Sequence, residues 1–265
     1  SDQPWNDDTI LRISSMTKAI TSTAVMILHE EGKFDLDDPV AEHLPEFENV
    51  KVLAQGNLVS PKRPMTVRDL LRHTSGLTYG FFGNTEVDKA YRKAGLLAPN
   101  QPLSEMSQKL AELPLQSHPG TKFNYSVSTD LLGRLVEIWS KQPFDRFLQQ
   151  RIFRPLDMKD TGFHVPKNKR ARFANVYLPG MQLHEAAAGS SYLKKPKFSS
   201  GGGGLVSTTR DYLHFIQMIA NGGTLFGKRL LKPETVALMT RNQVPDAAMP
   251  IGVGGGTRPG VGFGL

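Results

Sequence analysis

Two residues with complementary chemistry, Ser15 and Lys18, stand three positions apart near the start of the chain. A serine hydroxyl is a weak nucleophile at neutral pH and needs a neighbouring base, which a lysine can provide when its surroundings lower its pKa. Because residues three apart share one face of a helix, the Lys18 amine can reach back to the Ser15 hydroxyl. The spacing predicts an activated serine, although a serine at this place could also be an ordinary helix N-cap.

A second Ser-x-x-Lys pattern occurs at Ser191 and Lys194. It lies in a lysine-rich stretch just before Pro196, where no periodic apolar pattern fixes a helical spacing. We therefore interpret the second pattern as a chance occurrence and assign the chemistry to the pair at Ser15.

Other ligand-binding motifs are incomplete. His29-Glu30 and His184-Glu185 begin like a zinc-binding helix motif, but neither is followed by a second histidine at the required position. The stretch from Gly222 to Lys228 resembles a phosphate-binding loop, yet Arg229 replaces the hydroxyl that would bind magnesium. The sequence has no cysteine, which excludes thiolate chemistry. Neither a metal nor a cofactor is predicted.

Two histidines are the alternative bases for a nucleophilic serine. A Ser-His-Asp hydrolase is usually marked by Gly-x-Ser-x-Gly, which does not occur in this sequence. His73 stands at the predicted end of a helix, and His118 stands in a Pro-Gly turn. We interpret both as structural residues, with a base role as the less favoured alternative.

A strand and a helix must hold Ser15. A short strand is predicted over Asp8–Ile13, and from Ser15 apolar residues recur at helical spacing until Gly32. Segment Phe163–Ser200 lacks periodicity and is predicted to be a long surface excursion. Further helices are predicted over Thr66–His73, with Thr66 and Asp69 as a capping box, and over Ser128–Ser140, Thr208–Ala220 and Pro233–Thr240; further strands are predicted over Lys122–Tyr125 and Gly204–Ser207.

The composition is that of a globular protein, with 39% hydrophobic and 22% charged residues in a chain of 265 and a net charge of +7. Basic clusters at Lys167–Arg172 and Lys194–Lys197 have no interleaved aromatic residues, so we interpret them as solvated surface. No apolar run is long enough to span a bilayer. We predict no nucleic-acid or membrane partner and expect a cytoplasmic location, with a secreted or periplasmic one left open.

Four segments resemble, in the same order, those of family VIII carboxylesterases, which are relatives of class C β-lactamases and DD-peptidases. They are Arg12–Lys18, Leu70–Leu77, Pro119–Ser126 and Ser200–Thr208. The chain is therefore similar, over most of its length, to β-lactamase-like and penicillin-binding-protein-like serine hydrolases.

The resemblance implies roles for three residues. Ser15 would be the nucleophile, and Lys18 and Tyr125 would share its proton. A phenol beside an ammonium group has a lowered pKa, so it can accept the serine proton and later protonate a leaving alcohol. From spacing alone, Tyr125 could instead be a half-buried strand tyrosine.

Val127 departs from the pattern of the lactamase and peptidase relatives, which usually have asparagine at this place. An apolar residue cannot hydrogen-bond a substrate amide, so Val127 favours simple esters over β-lactams or peptides. The other substrate-binding residues that we predict are Tyr79, Phe81 and Phe82, for which an ordinary core is the alternative, and Gly202 and Gly203.

The resemblance implies an α/β fold of the α+β type, with an antiparallel sheet flanked by helices. We expect a single domain over residues 1–265, with a helical subdomain inserted at roughly 36–200. Family members carry a third element, Lys-x-Gly, His-x-Gly or Trp-x-Gly, on a strand beside the site. After Tyr125 only Arg258-Pro259-Gly260 comes near, and its proline cannot donate to a strand ladder. Few residues precede Ser15, so the sheet is expected to be truncated at both ends.

The implied activity is hydrolysis of small carboxylic esters through an acyl-enzyme on Ser15. The alternatives are a β-lactamase or DD-peptidase of the same superfamily, and an inactive binding module that keeps the fold. A missing oxyanion-hole donor would cost about 2.7 to 4 kcal/mol of barrier stabilisation, so these residues alone are expected to have impaired activity. The predicted partner is a small-molecule ester, and no oligomeric state is assigned.

Overall fold

Helices carry most of the regular structure in the computed structural model, which describes residues 5–253, 256–258 and 260–263. The α-helices are α1 (Thr17–Glu30), α2 (Val40–His43), α3 (Val67–Leu71), α4 (Glu86–Ala94), α5 (Leu103–Ala111), α6 (Ser128–Ser140), α7 (Phe144–Leu148), α8 (Thr209–Ala220) and α9 (Pro233–Thr240). The strands are β1 (Leu11–Arg12), β2 (Val52–Ala54), β3 (Asn57–Val59), β4 (Val176–Leu178), β5 (Gln182–Glu185), β6 (Val206–Ser207), β7 (Thr224–Leu225), β8 (Lys228–Arg229), β9 (Ile251–Val253) and β10 (Gly256–Arg258). In the described residues these strands form antiparallel pairs, β1 with β6 and each of the others with its sequence neighbour. The predicted mixed α/β class with antiparallel pairing is confirmed.

Helices α1 and α6 form the centre of the main core and position the site. Helix α1 is buried around most of its surface, and α6 packs against it with a row of buried leucines that includes Leu131 and Leu135. Replacing such a leucine by alanine typically costs about 2 to 5 kcal/mol of stability. Because Lys18 lies in the first turn of α1 and Tyr125 just precedes α6, this packing brings the two residues together.

The strand before Ser15 is shorter than predicted. Only Leu11 and Arg12 pair with β6, and the neighbouring Ile10 bridges to Phe173 instead. The Ile13 N–H continues the contact by donating to the Leu205 carbonyl at 3.1 Å. The pairing of β1 with β6 therefore fixes the glycine-rich segment before β6 alongside Ser15.

The predicted strand over Lys122–Tyr125 is wrong, because these residues form an irregular loop. The Asn124 N–H donates to the His73 carbonyl at 2.8 Å, and the Asn124 side chain donates to the Leu77 carbonyl at 2.7 Å. These hydrogen bonds tie the segment to the turn after α3 in place of a strand ladder.

The long helices follow the apolar periodicity, and the caps of α3 and α8 agree with the sequence. Thr66 and Asp69 form the predicted capping box of α3, and Thr208 caps α8. Segment Phe163–Ser200 is less irregular than predicted, since it contains the β4–β5 hairpin. The exposed apolar residues of that hairpin gave no clean alternation from which to predict strands.

No helix within the described ranges is long and apolar enough to cross a membrane. The division into a main part and an inserted subdomain at 36–200 stays a prediction, as does the cytoplasmic location. The triplet Arg258-Pro259-Gly260 includes Pro259, which lies outside the described residues.

Candidate active site

Ser15 lies on a short 3-10 turn, Ser14–Met16, between β1 and α1. Its side chain is exposed, and the turn is closed by the Met16 N–H, which donates to the Ile13 carbonyl at 3.0 Å. Ser14 adopts a φ of 44°, a left-handed conformation that typically costs a non-glycine residue about 1 to 3 kcal/mol. This strained turn presents Ser15 at the start of a helix, where the helix dipole favours developing negative charge.

Lys18 is 2% exposed, and its ammonium group faces Ser15 from the first turn of α1. Its Nζ donates to Ser15 Oγ at 3.4 Å and also donates to the Gly202 carbonyl. A buried amine within reach of a hydroxyl is a suitable partner for proton exchange. The predicted pairing of Ser15 and Lys18 is therefore present in the geometry.

Tyr125 completes the set of polar groups at Ser15. Its hydroxyl donates to Ser15 Oγ at 2.7 Å, and its ring centre lies 4.5 Å from Lys18 Nζ. Two functional groups that can exchange protons, the Lys18 amine and the Tyr125 phenol, thus converge on Ser15 Oγ. This arrangement can deprotonate a serine as it attacks and then return the proton to a leaving group.

Gly202 lies between the lysine and a buried carboxylate. Its carbonyl accepts from Lys18, while its N–H donates to Asp130 Oδ1 at 3.0 Å. A Cβ at this position would lie 2.5 Å from Asp130 Oδ2 and from the Tyr79 hydroxyl. At Gly203 the nearest atoms to an added Cβ belong to Ser14, at 3.8 Å or more, so of these two predicted residues it is Gly202 that requires glycine for space.

Asp130 is a residue of this site that sequence reasoning missed. It is fully buried in the first turn of α6, where Oδ1 accepts from the Ser200 hydroxyl as well as from Gly202. Burial raises the pKa of Asp130, and its hydrogen bonds and the nearby Lys18 charge oppose that rise. A carboxylate five residues after Tyr125 was the available sequence signal, but only the fold shows that it meets the glycine segment.

Aromatic side chains line the approach to Ser15. The ring of Tyr79 stacks on that of Phe81 with centres 4.9 Å apart. The ring centres of Phe82 and Tyr125 lie 5.9 Å apart. Phe81 and Phe82 are 57% and 69% exposed, so they form an open apolar surface. Burial and the nearby Asp130 raise the pKa of Tyr79, which keeps its phenol protonated. The predicted residues Tyr79 and Phe82 are thus brought together with Tyr125.

The remaining candidate residues make no hydrogen bond to Ser15, Lys18 or Tyr125 in the part of the chain that the structure describes. Val127 is fully buried in the main core, and a role in acyl selection stays a prediction. His118 accepts the Lys62 N–H on its Nδ1 at 3.3 Å. Ser191 and Lys194 are exposed at a 3-10 turn, where they share a backbone hydrogen bond, so the geometry offers no activated serine there.

The part of the chain that the structure describes contains no cluster of three or more histidine, aspartate or glutamate side chains arranged to hold a metal ion. The groups that can exchange protons at Ser15 Oγ are the Lys18 amine and the Tyr125 phenol.

Comparisons with known proteins identify the family of this chain. The sequence profile of the β-lactamase family matches residues 1–265. Protein Rv1367c of Mycobacterium tuberculosis is 38% identical over 250 residues, which are 92% of this chain and 62% of that relative. The chain thus spans less than two thirds of that protein's length.

Two further relatives are hydrolases by name. Esterase EstB of Burkholderia gladioli is 33% identical over 285 residues, which cover 99% of this chain and 67% of the esterase. The structure of EstCE1, a hydrolase with promiscuous acyltransferase activity, superimposes with a TM-score of 0.79 at 28% identity and covers 99% of this chain and 70% of its own. The chain therefore belongs to the β-lactamase family, among the β-lactamase-like serine hydrolases that include the family VIII carboxylesterases.

Proposed function

We propose that this chain is the catalytic part of a serine esterase that hydrolyses small carboxylic esters through an acyl-enzyme on Ser15. The observation that carries the proposal is the convergence of Lys18 Nζ and Tyr125 Oη on Ser15 Oγ, at 3.4 Å and 2.7 Å. A hydroxyl in contact with two proton-exchanging groups can lose its proton in step with attack, which is the requirement for a serine nucleophile.

The reaction consists of two acyl transfers. Ser15 Oγ attacks the ester carbonyl carbon while its proton passes to the Lys18–Tyr125 pair, which accepts it when the pair carries one proton fewer, as a neutral amine or a phenolate. The bond from carbon to the alcohol oxygen then breaks, and the pair returns the proton to the departing alcohol. Water next attacks the acyl-enzyme, giving its proton to the same pair, and the acid leaves as Ser15 Oγ regains a proton.

The substrate class is suggested by the apolar surroundings of the site. Phe81 and Phe82 offer exposed rings that contact each other, and Phe82 lies beside Tyr125. Apolar acyl or alcohol groups would bind against such rings because each buried CH₂ group contributes about 0.8 kcal/mol. The names of EstB and EstCE1 support the same interpretation, since both are hydrolases and the first is an esterase.

The proposal is tested on the intact protein with p-nitrophenyl butyrate, nitrocefin and a fluorophosphonate probe. Ser15→Ala should abolish both ester turnover and labelling. Ser191→Ala is the matched control, because it alters the other Ser-x-x-Lys pattern, and it should leave both unchanged.

Other outcomes would replace the proposal. Nitrocefin turnover faster than ester turnover would identify a β-lactamase. Absence of labelling in the wild-type protein would identify an inactive binding module. Unchanged turnover and labelling in Ser15→Ala would show that another residue is the nucleophile.

A further inference from the structure

His73 is a buried residue beside the site for which the proposed chemistry has no use. It follows α3, is 1% exposed and adopts a φ of 56°. Its ring centre lies 4.9 Å from that of Tyr125. A buried histidine held in a left-handed conformation costs free energy, so a compensating role is expected.

Hydrogen bonds from both sides of Tyr125 end on His73. The carbonyl of His73 accepts the Asn124 N–H at 2.8 Å, and its imidazole Nδ1 accepts the Ser126 N–H at 3.3 Å. Asn124 and Ser126 are the two neighbours of Tyr125 in the chain. Because Lys122–Tyr125 forms no strand, these contacts replace the ladder that would otherwise hold the tyrosine backbone.

The hydrogen bonds also define the tautomer of the His73 imidazole. A backbone N–H can only donate, so Nδ1 must accept from Ser126, and the ring proton belongs on Nε2. Nε2 has no hydrogen-bond partner among the described residues. Burial, together with the nearby Lys18 charge, lowers the pKa of His73 to about 3. A neutral ring with its Nδ1 lone pair already engaged is unsuited to act as a general base.

The serines around His73 extend this support. Ser126 Oγ lies 3.3 Å from His73 Nδ1 and 2.8 Å from Ser128 Oγ, which in turn lies 2.7 Å from Ser75 Oγ. All three hydroxyls are buried. The imidazole is thus the end of a polar network that joins the turn after α3 to the start of α6.

We propose that His73 is a positioning residue for Tyr125: its carbonyl and its Nδ1 clamp the backbone on either side of the tyrosine and so aim the phenol at Ser15 Oγ. This inference rests on the proposed function, because it assigns His73 a place in that reaction. A misplacement of about 1 Å at a reacting group can lower the rate about 100-fold, so the loss of the clamp should affect kcat more than KM.

Three substitutions separate the clamp from a general packing role. Asparagine places its Oδ1 near the position of Nδ1 and tolerates a positive φ, so His73→Asn keeps the acceptor. Glutamine places its amide near Nε2 instead, and alanine has no acceptor. We expect His73→Asn to keep kcat within about 3-fold, and His73→Gln and His73→Ala to lose about 100-fold in kcat with KM changed less than about 3-fold.

A matched control is His118→Ala, which removes the same kind of bond, from Nδ1 to a backbone N–H, away from Tyr125. It should keep kcat. A second readout does not use activity. In ¹⁵N–¹H spectra of the wild-type imidazoles, the signal lost in His73→Asn should show the Nε2-protonated tautomer at pH 7.

The outcomes are distinct. If the wild-type protein hydrolyses no ester, the proposed function fails, and the tautomer still reports on the clamp. If the wild-type protein is active and His73→Ala keeps its kcat, the positioning role is wrong. The same conclusion follows if His73→Asn loses as much kcat as His73→Ala, or if Nδ1 carries the proton. Should His73→Ala and His73→Gln fail to fold, the kcat of His73→Asn and the tautomer of the wild-type imidazole still test the positioning role.

Discussion

The Asp130 carboxylate accepts the backbone N–H of Gly202 at 3.0 Å, while the carbonyl of the same glycine accepts the Lys18 ammonium group. A single peptide segment therefore links a buried acid to the amine that contacts Ser15. The position of the lysine depends on this segment as well as on its own helix.

Gly202→Ala should disrupt this link. The added Cβ would lie 2.5 Å from Asp130 Oδ2, so the segment must shift. The Gly202 carbonyl, which accepts the hydrogen bond from Lys18, would move with it. We expect ester turnover to fall about 100-fold, measured as kcat with p-nitrophenyl butyrate. Gly189→Ala is the matched control, because no described atom lies within 4 Å of an added Cβ there. Equal activity of the two variants would contradict the packing argument.

Tyr125→Phe removes the hydroxyl that contacts Ser15 and leaves the ring in place. Loss of a general acid–base group typically costs about 100-fold to 10,000-fold, so kcat should fall within that range while the melting temperature stays close to that of the wild type. Labelling of Ser15 by a fluorophosphonate should slow as well. Tyr177→Phe, at an exposed tyrosine of β4, serves as control and should behave like the wild-type protein. A fully active Tyr125→Phe would exclude the proton relay.

The sequence predicted the local part of this site because that part depends on helical spacing. Ser15 and Lys18 lie three residues apart, and the apolar period after Ser15 indicates the helix that joins them. Tyr125 lies 110 residues from Ser15, and only the resemblance to a family identified it.

The contributions of Asp130 and His73 could not be read from the sequence. Asp130 meets Gly202 across 72 residues, and His73 meets Ser126 across 53. Such contacts are set by the packing of whole elements, which no local pattern encodes. The same cause explains the wrong strand at Lys122–Tyr125, where hydrogen bonds to a distant turn outweigh the β-propensity of the local residues.

Phe82→Ala should change substrate preference without changing stability. The side chain is 69% exposed, so its loss removes little buried surface from the folded protein. If the ring contacts an apolar part of the substrate, its removal should raise KM for p-nitrophenyl butyrate about 10-fold and leave the acetate ester less affected. Phe226→Ala removes a similarly exposed ring that packs on His214, and its KM values should stay unchanged. Equal effects on both esters would argue against acyl-chain contact at Phe82.

Asp69→Asn should reveal a pH-dependent contribution to stability from the turn that leads to His73. The buried Asp69 carboxylate accepts bonds from Arg63, Arg72 and Thr74. Burial alone would raise the pKa of Asp69, but the hydrogen bonds from Arg63, Thr74 and Arg72 and the charge of Arg63 hold it below the ordinary value of 3.8. A carboxylate with a lowered folded-state pKa stabilises the protein above the unfolded value, and that stability is lost as pH falls through the folded value.

Asp69→Asn removes the charge and should therefore lower the free energy of unfolding at pH 7 by about 2 to 4 kcal/mol, a range reduced for the partial exposure of Arg63. The difference from the wild-type protein should shrink as the pH drops below 3.8. Urea unfolding at pH 7, 5 and 3 measures it. Asp157→Asn, at an exposed residue paired only with Lys159 among the described residues, is the control and should change stability little at any of these pH values. A difference for Asp69→Asn that stays constant from pH 7 to pH 3 would mean that the carboxylate charge contributes nothing and that the loss comes from hydrogen-bond geometry alone.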